Sequence, residues 1–278
     1  MMVLPPHDCL GERERRLGAA ELARRFAGRV LVVIPAYEEG ETLPELLPRV
    51  PERVGDTAVA VLVVDDGSRD DTTTAALAHG ATVARLHENR GGGTALKVGY
   101  AIAVAAGAPI VATMDADGQH RPEELPDVVE PVLSGRVQFA AGSRVLGHAE
   151  PGAVARELGI AWFNRVVRVL TRARVTDCSN GFRAIRTELL PTLDLRERQF
   201  HAAEFLIEAL TRGVSYEEVP ITVLRRAHGE SKKPSTLRYG RGFSAAIVHS
   251  WRRSLARRSR ARAAGGAPDA PREPASAS

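Results

Sequence analysis

The stretch Ile110-Val-Ala-Thr-Met-Asp-Ala-Asp-Gly-Gln119 decides the fold, because it joins a short apolar run to two carboxylates. An apolar run that ends at turn residues is typical of a buried strand in a parallel sheet. Asp115 and Asp117 then follow the strand at its carboxyl end, which is the edge where open α/β sheets bind ligands. Two hard oxygen donors at this edge suit Mg²⁺ or Mn²⁺, although Asp-x-Asp alone is also common in surface turns.

Three further apolar runs are followed by polar residues in the same way. Such runs predict buried strands, and the carboxyl ends of parallel strands meet at one edge of a sheet. We therefore predict an α/β fold with a mainly parallel central sheet, flanked by helices and polar along one edge. The runs and their polar continuations are Arg29–Ile34 before Pro35-Ala-Tyr-Glu-Glu39, Ala58–Val64 before Asp65-Asp-Gly-Ser68, and Val137–Ala141 before Gly142-Ser-Arg144.

Helical patterns alternate with these strands. Ser68 is expected to cap one helix through its hydroxyl, with Asp71 in the first turn, and Thr42 with Glu45 forms a second capping pattern. The predicted helices span about Gly18 to Phe26, Ser68 to Ala78, and Thr94 to Ala106, with another opening at Pro122 and a longer one starting near Ala153. We expect the second half of the chain to cover the sheet edge and to build the other side of the site.

Five motifs carry a family resemblance: Pro35-Ala-Tyr-Glu-Glu39, Val64-Asp-Asp-Gly-Ser68, Asp115-Ala-Asp-Gly-Gln119, Gly142-Ser-Arg144 and Asn180-Gly-Phe-Arg183. Over roughly residues 29–250 the chain resembles the family 2 glycosyltransferases of GT-A fold. It is most similar to the dolichol- or polyprenol-phosphate sugar synthases, through Asp117-Gly-Gln-His120, Gly142-Ser-Arg144 and His228-Gly-Glu-Ser-Lys232. The resemblance implies inverting transfer of a sugar from a UDP- or GDP-sugar donor, with a polyprenyl (dolichyl-type) phosphate as the expected acceptor.

On the donor side, the resemblance implies a Mg²⁺ or Mn²⁺ ion held by Asp115, Asp117 and Gln119. The donor nucleotide is expected to contact residues that follow the first strands and the metal motif: Pro35, Tyr37, Glu39, Asp66 and Asp115. The family often has a lysine where Gly92 stands, so Lys97, one helical turn later, is a candidate for the missing donor contact. The alternative is that Asn89-Arg-Gly-Gly-Gly-Thr94 only makes a tight strand-to-helix turn, since it lacks the third glycine of the dinucleotide fingerprint and the lysine of a P-loop.

On the acceptor side, the resemblance implies that Ser143, Arg144 and Arg183 bind the acceptor phosphate, a task that suits the bidentate guanidinium group. For Arg183, an ion pair with a nearby acid is the structural alternative. A mobile segment is expected to close over the diphosphate through Arg226, His228, Ser231 and Lys232, with Lys233 adding charge.

Arg144 and Glu204 are the candidate catalytic residues. Glu204 occupies the position where relatives that act on hydroxyls place a general base, whose loss typically costs ~10²–10⁴-fold in rate. A phosphomonoester has a second pKa of about 6 and is already mostly dianionic at neutral pH. With a lipid phosphate as acceptor, Glu204 is therefore expected to matter less as a base and more as an organiser of its helix or as the partner of an arginine.

Three other functions stay open from the sequence. One is a soluble glycosyltransferase that acts on a hydroxyl of a small metabolite or glycan. Another is a sugar-nucleotide nucleotidyltransferase, although Pro35-Ala-Tyr-Glu-Glu39 stands where such an enzyme would have a Gly-rich loop with Lys or Arg. The third is a non-catalytic nucleotide-sugar sensor. We expect no nucleic-acid partner.

Composition predicts a cytoplasmic globular protein. The 278 residues are 44% hydrophobic and 26% charged, and the two cysteines, Cys9 and Cys178, are too few for a disulfide framework. The predicted units are a lead-in at 1–28, the glycosyltransferase domain at 29–250 and a basic, then disordered tail at 251–278. No run reaches the ~20 apolar residues that span a bilayer. A basic helix with Phe243, Ile247, Trp251 and Leu255 on one face predicts peripheral contact with the inner membrane face, the alternative being a helix packed on the body.

Overall fold

One mixed β-sheet forms the centre of the protein. The structure, a computed structural model, describes residues 19–150, 154–225 and 236–263. Its strands are β1 (Val30–Ala36), β2 (Arg53–Val54), β3 (Thr57–Asp65), β4 (Thr82–Arg85), β5 (Ile110–Thr113), β6 (Phe139–Ala149), β7 (Arg183–Arg186) and β8 (Tyr216–Val223). They lie in the order β2-β3-β1-β5-β7-β6-β8, with β4 also paired to β3.

Helices connect most of the strands. They are α1 (Ala19–Phe26), α2 (Leu43–Leu46), α3 (Thr72–Ala78), α4 (Gly92–Ala106), α5 (Leu125–Leu133), α6 (Val154–Thr171), α7 (His201–Thr211) and α8 (Thr236–Ala263). Short 3₁₀ turns lie at Leu47–Arg49, Pro122–Glu124 and Thr187–Thr192. The alternation of strand and helix over the first half is the one predicted from the sequence.

The sheet is buried on both faces. Successive side chains of a strand point to opposite faces, and those of β1 divide between two hydrophobic clusters. Leu31 and Val33 pack with α4 and α7, whereas Val30, Val32 and Ile34 pack with α2 and α5. All five side chains are fully buried. This explains why β1 reads as a continuous apolar run rather than as an alternating one.

The prediction of a mainly parallel sheet is confirmed, with two antiparallel strands that the sequence did not reveal, the short edge strand β2 beside β3 and the central β7. β1 pairs in parallel with β3 and β5, and β6 pairs in parallel with β8. β7 runs antiparallel between β5 and β6, and its first residue, Arg183, pairs with Thr113 at the end of β5. The chain that enters β7 therefore arrives at the same sheet edge as the Asp115-Ala-Asp117 motif.

Both predicted capping boxes are wrong. Helix α3 begins at Thr72 rather than at Ser68, and the Ser68 hydroxyl instead accepts the N–H of Glu38 at 2.9 Å. Thr42 makes no side-chain cap for α2, and its hydroxyl donates to Glu39 at 3.0 Å. Ser68 thus ties two loops together, which a local sequence pattern does not reveal, whereas Thr42 bonds within its own loop.

The C-terminal helix α8 packs on the body, and it runs through the position where a boundary after residue 250 was predicted. Phe243 and Ile247 are buried in the core, and Trp251 packs partly against it, so most of the face predicted to meet a membrane is covered by the protein. Gly242 fits this packing, because a Cβ atom there would lie 2.5 Å from the Phe200 ring. Among the helices of the described ranges, none is long and apolar enough to cross a membrane.

Gly99 provides a test of the packing of α4 on β1. A Cβ atom on Gly99 would lie 2.3 Å from Cγ1 of the buried Val33. We expect Gly99→Ala to destabilise the protein by about 1–3 kcal/mol, the usual cost of overpacking a core. Gly159→Ala, inside α6 where nothing lies within 4 Å, is the control and should be neutral or stabilising by up to about 1 kcal/mol. Denaturant unfolding measures both, and equal effects would contradict the described packing.

Candidate active site

The Asp-x-Asp motif forms a tight turn at the carboxyl end of β5. Gly118 takes a left-handed conformation, with φ of 72°, and the N–H of Gln119 donates to Asp117 Oδ1 at 3.2 Å. Asp117 is buried and Asp115 is half-buried. The turn therefore holds both carboxylates at the polar edge that the sequence predicted.

The chain before β7 packs directly against Asp115. The Thr113 hydroxyl donates to the carbonyl of Gly181 at 2.6 Å, and a Cβ atom on Gly181 would lie 2.6 Å from Asp115 Oδ1. Only glycine leaves the Asp115 carboxylate undisturbed at this place. The same chain buries the Asn180 Nδ2 atom without a hydrogen-bond partner among the described residues.

The donor set fits a hard divalent cation. Carboxylate oxygens are the ligands that Mg²⁺ and Mn²⁺ prefer, and Asp115 and Asp117 supply them. Gln119 donates its amide N–H to the carbonyl of Leu224 at 3.0 Å, so the amide oxygen is the atom it can offer to a cation. Within the described ranges no group of three His, Cys, Asp or Glu residues could hold a metal. Two carboxylates of this chain would therefore act with neutral or substrate oxygens.

Two loops on the donor side are interlocked by successive backbone groups. After β1, the N–H groups of Glu38, Glu39 and Gly40 donate to Ser68, Thr72 and Asp70, at 2.9, 2.9 and 3.0 Å. Glu38 adopts a left-handed φ of 53°, which turns these N–H groups towards the loop that follows β3.

This interlocking fixes the segment that carries the candidate donor residues. Pro35, Tyr37 and Glu39 are all half-buried along it. Burial, aided by the adjacent Glu38 carboxylate, raises the pKa of Tyr37. Tyr37 is therefore neutral at physiological pH, and its hydroxyl is able to donate a hydrogen bond.

Asp66, the candidate donor residue after β3, contacts a neighbouring loop of the protein. Its carboxylate is buried and accepts the N–H groups of Arg90 and Gly91 at 2.8 and 2.7 Å. Burial raises the pKa of Asp66, against the opposing effect of these two N–H groups. The Asp66 carboxylate therefore holds the loop after β4, and its contact with a nucleotide stays a prediction.

The glycine-rich loop packs closely against the segment that precedes α7. A Cβ atom on Gly93 would lie 2.5 Å from the carbonyl oxygen of Glu197, and one on Gly91 would lie 2.9 Å from that of Arg198. Gly92, by contrast, faces open space. The Lys97 side chain points to the same segment before α7, because its Nζ donates to the carbonyl of Arg196 at 3.4 Å. Burial lowers the pKa of Lys97, against the attraction of a nearby carboxylate.

Arg144 is the one predicted acceptor residue that keeps some exposure. Its guanidinium donates to both oxygens of Asp177, at 2.6 and 3.2 Å, and to the Ser179 hydroxyl at 3.1 Å. The Arg144 side chain is 16% exposed, whereas that of Asp177 is fully buried. Although burial opposes it, the Arg144 guanidinium holds the pKa of Asp177 below its usual value. These hydrogen bonds are donated by Nε and Nη2 of Arg144, and none of them involves Nη1.

Ser143 and Arg183 are both buried near Arg144. The Ser143 hydroxyl bonds to that of Thr176 at 2.6 Å. The Arg183 guanidinium donates to the carbonyls of Asn180, Ala202 and Cys178 at 2.7, 2.6 and 3.3 Å. Among the described residues, its hydrogen-bond partners are these carbonyls rather than an acid. Both side chains fix the segment around Arg144, and their contact with an acceptor phosphate stays a prediction.

Glu204 lies on the first turn of α7 with its side chain fully buried. It accepts the N–H groups of Arg196 and Glu197, at 3.0 and 2.8 Å, and it pairs with Arg253 of α8. Burial raises the pKa of Glu204, against the effects of these N–H groups and of Arg253. The carboxylate is thus surrounded by the protein's own donors.

The segment expected to close over the diphosphate, with Arg226, His228, Ser231, Lys232 and Lys233, lies outside the described residues. The residues that lead into this segment are described. Leu224 donates its N–H to the carbonyl of Gln119 at 2.8 Å, and His120 forms a β-bridge with Val223. The chain therefore enters this segment from the metal motif itself.

Sequence reasoning missed the residues that hold the acceptor edge together. Asp177 aligns Arg144, and Glu218 of β8 accepts the N–H groups of Thr176 and Asp177 at 2.7 and 2.9 Å. Asn164 of α6 accepts the N–H of Cys178 at 2.9 Å. The only available signal was the position of Asp177 just before the Asn180-Gly-Phe-Arg183 motif, since Glu218 and Asn164 are remote from it in sequence.

Comparison with known proteins identifies the family of this chain. A profile described as Glycosyl transferase family 2 matches residues 31–193. Polyprenol monophosphomannose synthase from Mycolicibacterium smegmatis is 35% identical over 242 residues, covering 80% of this chain and 87% of that protein. Undecaprenyl-phosphate mannosyltransferase from Micrococcus luteus is 34% identical over 216 residues, covering 73% and 87%.

A solved structure shares the fold. Glucosyl-3-phosphoglycerate synthase from Mycobacterium tuberculosis, in complex with Mn²⁺, UDP-glucose and phosphoglyceric acid, has a TM-score of 0.63 and 25% identity, with 84% of each chain covered. The fold is thus the predicted GT-A fold. Since the family profile spans more than half of the chain and the relatives align over most of their lengths, the chain belongs to glycosyltransferase family 2.

Proposed function

We propose that this glycosyltransferase transfers a sugar, with inversion, from a nucleotide-diphosphate sugar to a polyprenyl phosphate. An oxygen of the acceptor phosphate attacks the anomeric carbon while the bond from that carbon to the nucleotide diphosphate breaks. The relatives named for polyprenol and undecaprenyl phosphate support this acceptor class. Family membership favours glycosyl transfer over the nucleotidyltransferase and sensor alternatives.

The donor would lie over the edge formed by the loops after β1, β3 and β5. Asp115 and Asp117, with the amide oxygen of Gln119, would hold a Mg²⁺ or Mn²⁺ ion, which supplies positive charge to offset that of the leaving diphosphate. The half-buried Pro35, Tyr37 and Glu39 would contact the nucleoside, beside Asp66, whose carboxylate accepts two backbone N–H groups. The interlocked loops keep this surface rigid before the donor binds.

The proposed acceptor class rests on one observation in the second half of β6. The half-buried Arg144 is followed at once by two exposed apolar side chains, Val145 at 58% and Leu146 at 50% exposure. A guanidinium beside an exposed apolar pair fits a ligand that joins a phosphate to a hydrocarbon chain. Such a ligand lies in a bilayer, so the proposal requires peripheral contact of this edge with a membrane.

The surroundings of Glu204 support the same class. A hydroxyl acceptor needs a base that takes its proton, and the fully buried Glu204 is occupied by Arg253 and two backbone N–H groups. A phosphate acceptor is already anionic. It needs a cation to orient it, and Arg144 supplies one.

A small phosphorylated metabolite with a reacting hydroxyl is the second candidate acceptor. It is favoured by the structural similarity to glucosyl-3-phosphoglycerate synthase. Its phosphate would suit Arg144 equally well, but it gives the exposed Val145 and Leu146 no partner. Product analysis with UDP- and GDP-sugars, offering undecaprenyl phosphate or phosphoglyceric acid in turn, separates the two candidates.

The metal site is tested by Asp117→Asn. A neutral amide is a poor ligand for a hard dication, so we expect Mn²⁺-dependent binding of nucleotide sugars to be abolished while the fold stays intact. Calorimetry with UDP- and GDP-sugars, with and without Mn²⁺, measures the effect. Asp56→Asn, an exposed change in the turn before β3 at the opposite end of that strand, is the matched control. Undiminished binding by Asp117→Asn would remove the metal assignment.

The division of labour between Arg144 and Glu204 gives a second test. We expect Glu204→Gln to lower kcat with a polyprenyl phosphate by less than about tenfold, below the usual loss of a general base. Arg144→Ala should lose far more, mainly through a raised KM for the acceptor. Arg144→Lys keeps a positive charge opposite Asp177. It therefore distinguishes the loss of a contact with the acceptor from a disturbance of the loop that Asp177 holds. A loss in the thousands for Glu204→Gln beside a nearly active Arg144→Ala would reverse the assignment in favour of a hydroxyl acceptor.

The apolar pair is tested by the double substitution Val145→Ser and Leu146→Ser. Loss of two half-exposed hydrocarbon contacts is expected to weaken binding of a long chain by roughly tenfold. KM should rise for undecaprenyl phosphate and stay unchanged for a short, water-soluble prenyl phosphate that reaches only Arg144. Equal effects on both acceptors would show that the pair does not contact the chain.

A further inference from the structure

Two carboxylates are buried side by side on α7. The side chains of Glu204 and Glu208, one helical turn apart, are fully buried. Buried charges are strongly unfavourable unless they are paired. Arg212, the residue after α7, pairs with Glu208 at 3.0 Å, and α8 supplies one further partner for each carboxylate, also one turn apart. Arg253 pairs with Glu204, and Arg257 Nη1 lies 3.1 Å from Glu208 Oε2. The matching spacing locks the C-terminal helix to α7 in one register.

The same carboxylates hold the chain that precedes α7. Glu204 accepts the N–H groups of Arg196 and Glu197, and Glu208 accepts that of Asp194 at 3.2 Å. Arg253 also approaches Asp194, with Nε 3.8 Å from Oδ2. The position of residues 194–197 is therefore set by a charge cluster in which Arg253 and Arg257 of α8 act beside two local cations, Arg196 on Asp194 and Arg212 on Glu208.

Residues 196–198 in turn form the wall behind the glycine-rich loop. The N–H of Gly93 donates to the carbonyl of Arg198 at 2.7 Å, and the carbonyl of Glu197 fills the space where Gly93 would carry a side chain. Lys97 donates to the carbonyl of Arg196. Asp66 holds the other side of this loop through Arg90 and Gly91. The glycine-rich loop is thus held on one side by Asp66 and on the other side by residues 196–198, whose position Glu204 fixes.

We propose that Arg253 is a positioning residue for the donor side of the active site, acting through Glu204 and residues 196–198 on the glycine-rich loop and Lys97. The C-terminal helix is then a working part of the site rather than a cover for the core. The contact with a donor rests on the proposed function, whereas the path from Arg253 to Gly93 does not.

The test compares Arg253→Met with Arg253→Lys, which keeps the charge, and with Arg252→Met, an exposed neighbour on the same helix. Hydrogen exchange at the amides of Arg196, Glu197 and Gly93 measures the path itself. We expect exchange to accelerate by roughly tenfold in Arg253→Met, within the range of typical couplings between sites, to recover partly in Arg253→Lys and to stay unchanged in Arg252→Met. Thermal unfolding confirms that each variant is folded.

Donor binding provides the functional readout. Arg253→Met should raise the Kd for UDP with Mn²⁺ and the KM for the nucleotide sugar by roughly tenfold, with the acceptor KM unchanged, a division that general destabilisation does not produce. If Arg253→Met does not fold, Arg253→Lys and Glu204→Gln carry the same comparison. Unchanged exchange at Gly93 would overturn the proposal. Altered exchange in a protein whose wild type binds neither UDP nor GDP would keep the path and remove the proposed donor.

Discussion

Carboxylates that accept backbone N–H groups hold the loops of this protein in place. Asp66 holds the loop after β4, Glu204 holds the chain before α7, and Glu218 holds the chain before β7. A carboxylate that accepts two or three N–H groups can stay charged out of water, and removing it leaves those donors unsatisfied. Each of these acids lies on or beside a rigid element and fixes a loop that has no regular structure of its own. The polar edge of the sheet therefore depends on them.

Glycines complete this arrangement where backbone meets backbone. Gly67 lies against the backbone of Glu88 and Asn89, Gly93 against that of Glu197, and Gly181 against the Asp115 carboxylate. In each case a Cβ atom would come closer than 2.8 Å to its neighbour, which real contacts do not allow. Loops held by buried acids are therefore drawn close enough that only glycine fits. The motif glycines follow from the packing of loops on one another as much as from ligand binding.

The strands and the metal motif were predictable because their signals are local. An apolar run followed by turn residues predicts β1, β3 and β5 without knowledge of their partners. The orientations of Asp66, Ser68, Arg183 and Glu204 were not predictable, because each has at least one partner between 7 and 49 positions away, on another loop or helix. A motif gives the type of residue at an edge. Whether its side chain meets a ligand or the next loop is decided by packing that no local window contains.

The distribution of charge between the two sides of the site follows from these contacts. On the donor side, Asp115 and Asp117 carry negative charge that a bound cation can balance. On the acceptor side, Asp177 neutralises part of the Arg144 charge and fixes the plane of its guanidinium, since two of its nitrogens donate to one buried carboxylate. A fixed guanidinium loses little conformational freedom when it binds a planar or tetrahedral oxyanion. Under the proposed function, this arrangement suits an acceptor that brings its own negative charge. Glu204 then has a structural role, because Arg253 balances its charge inside the protein and its carboxylate holds the segment before α7.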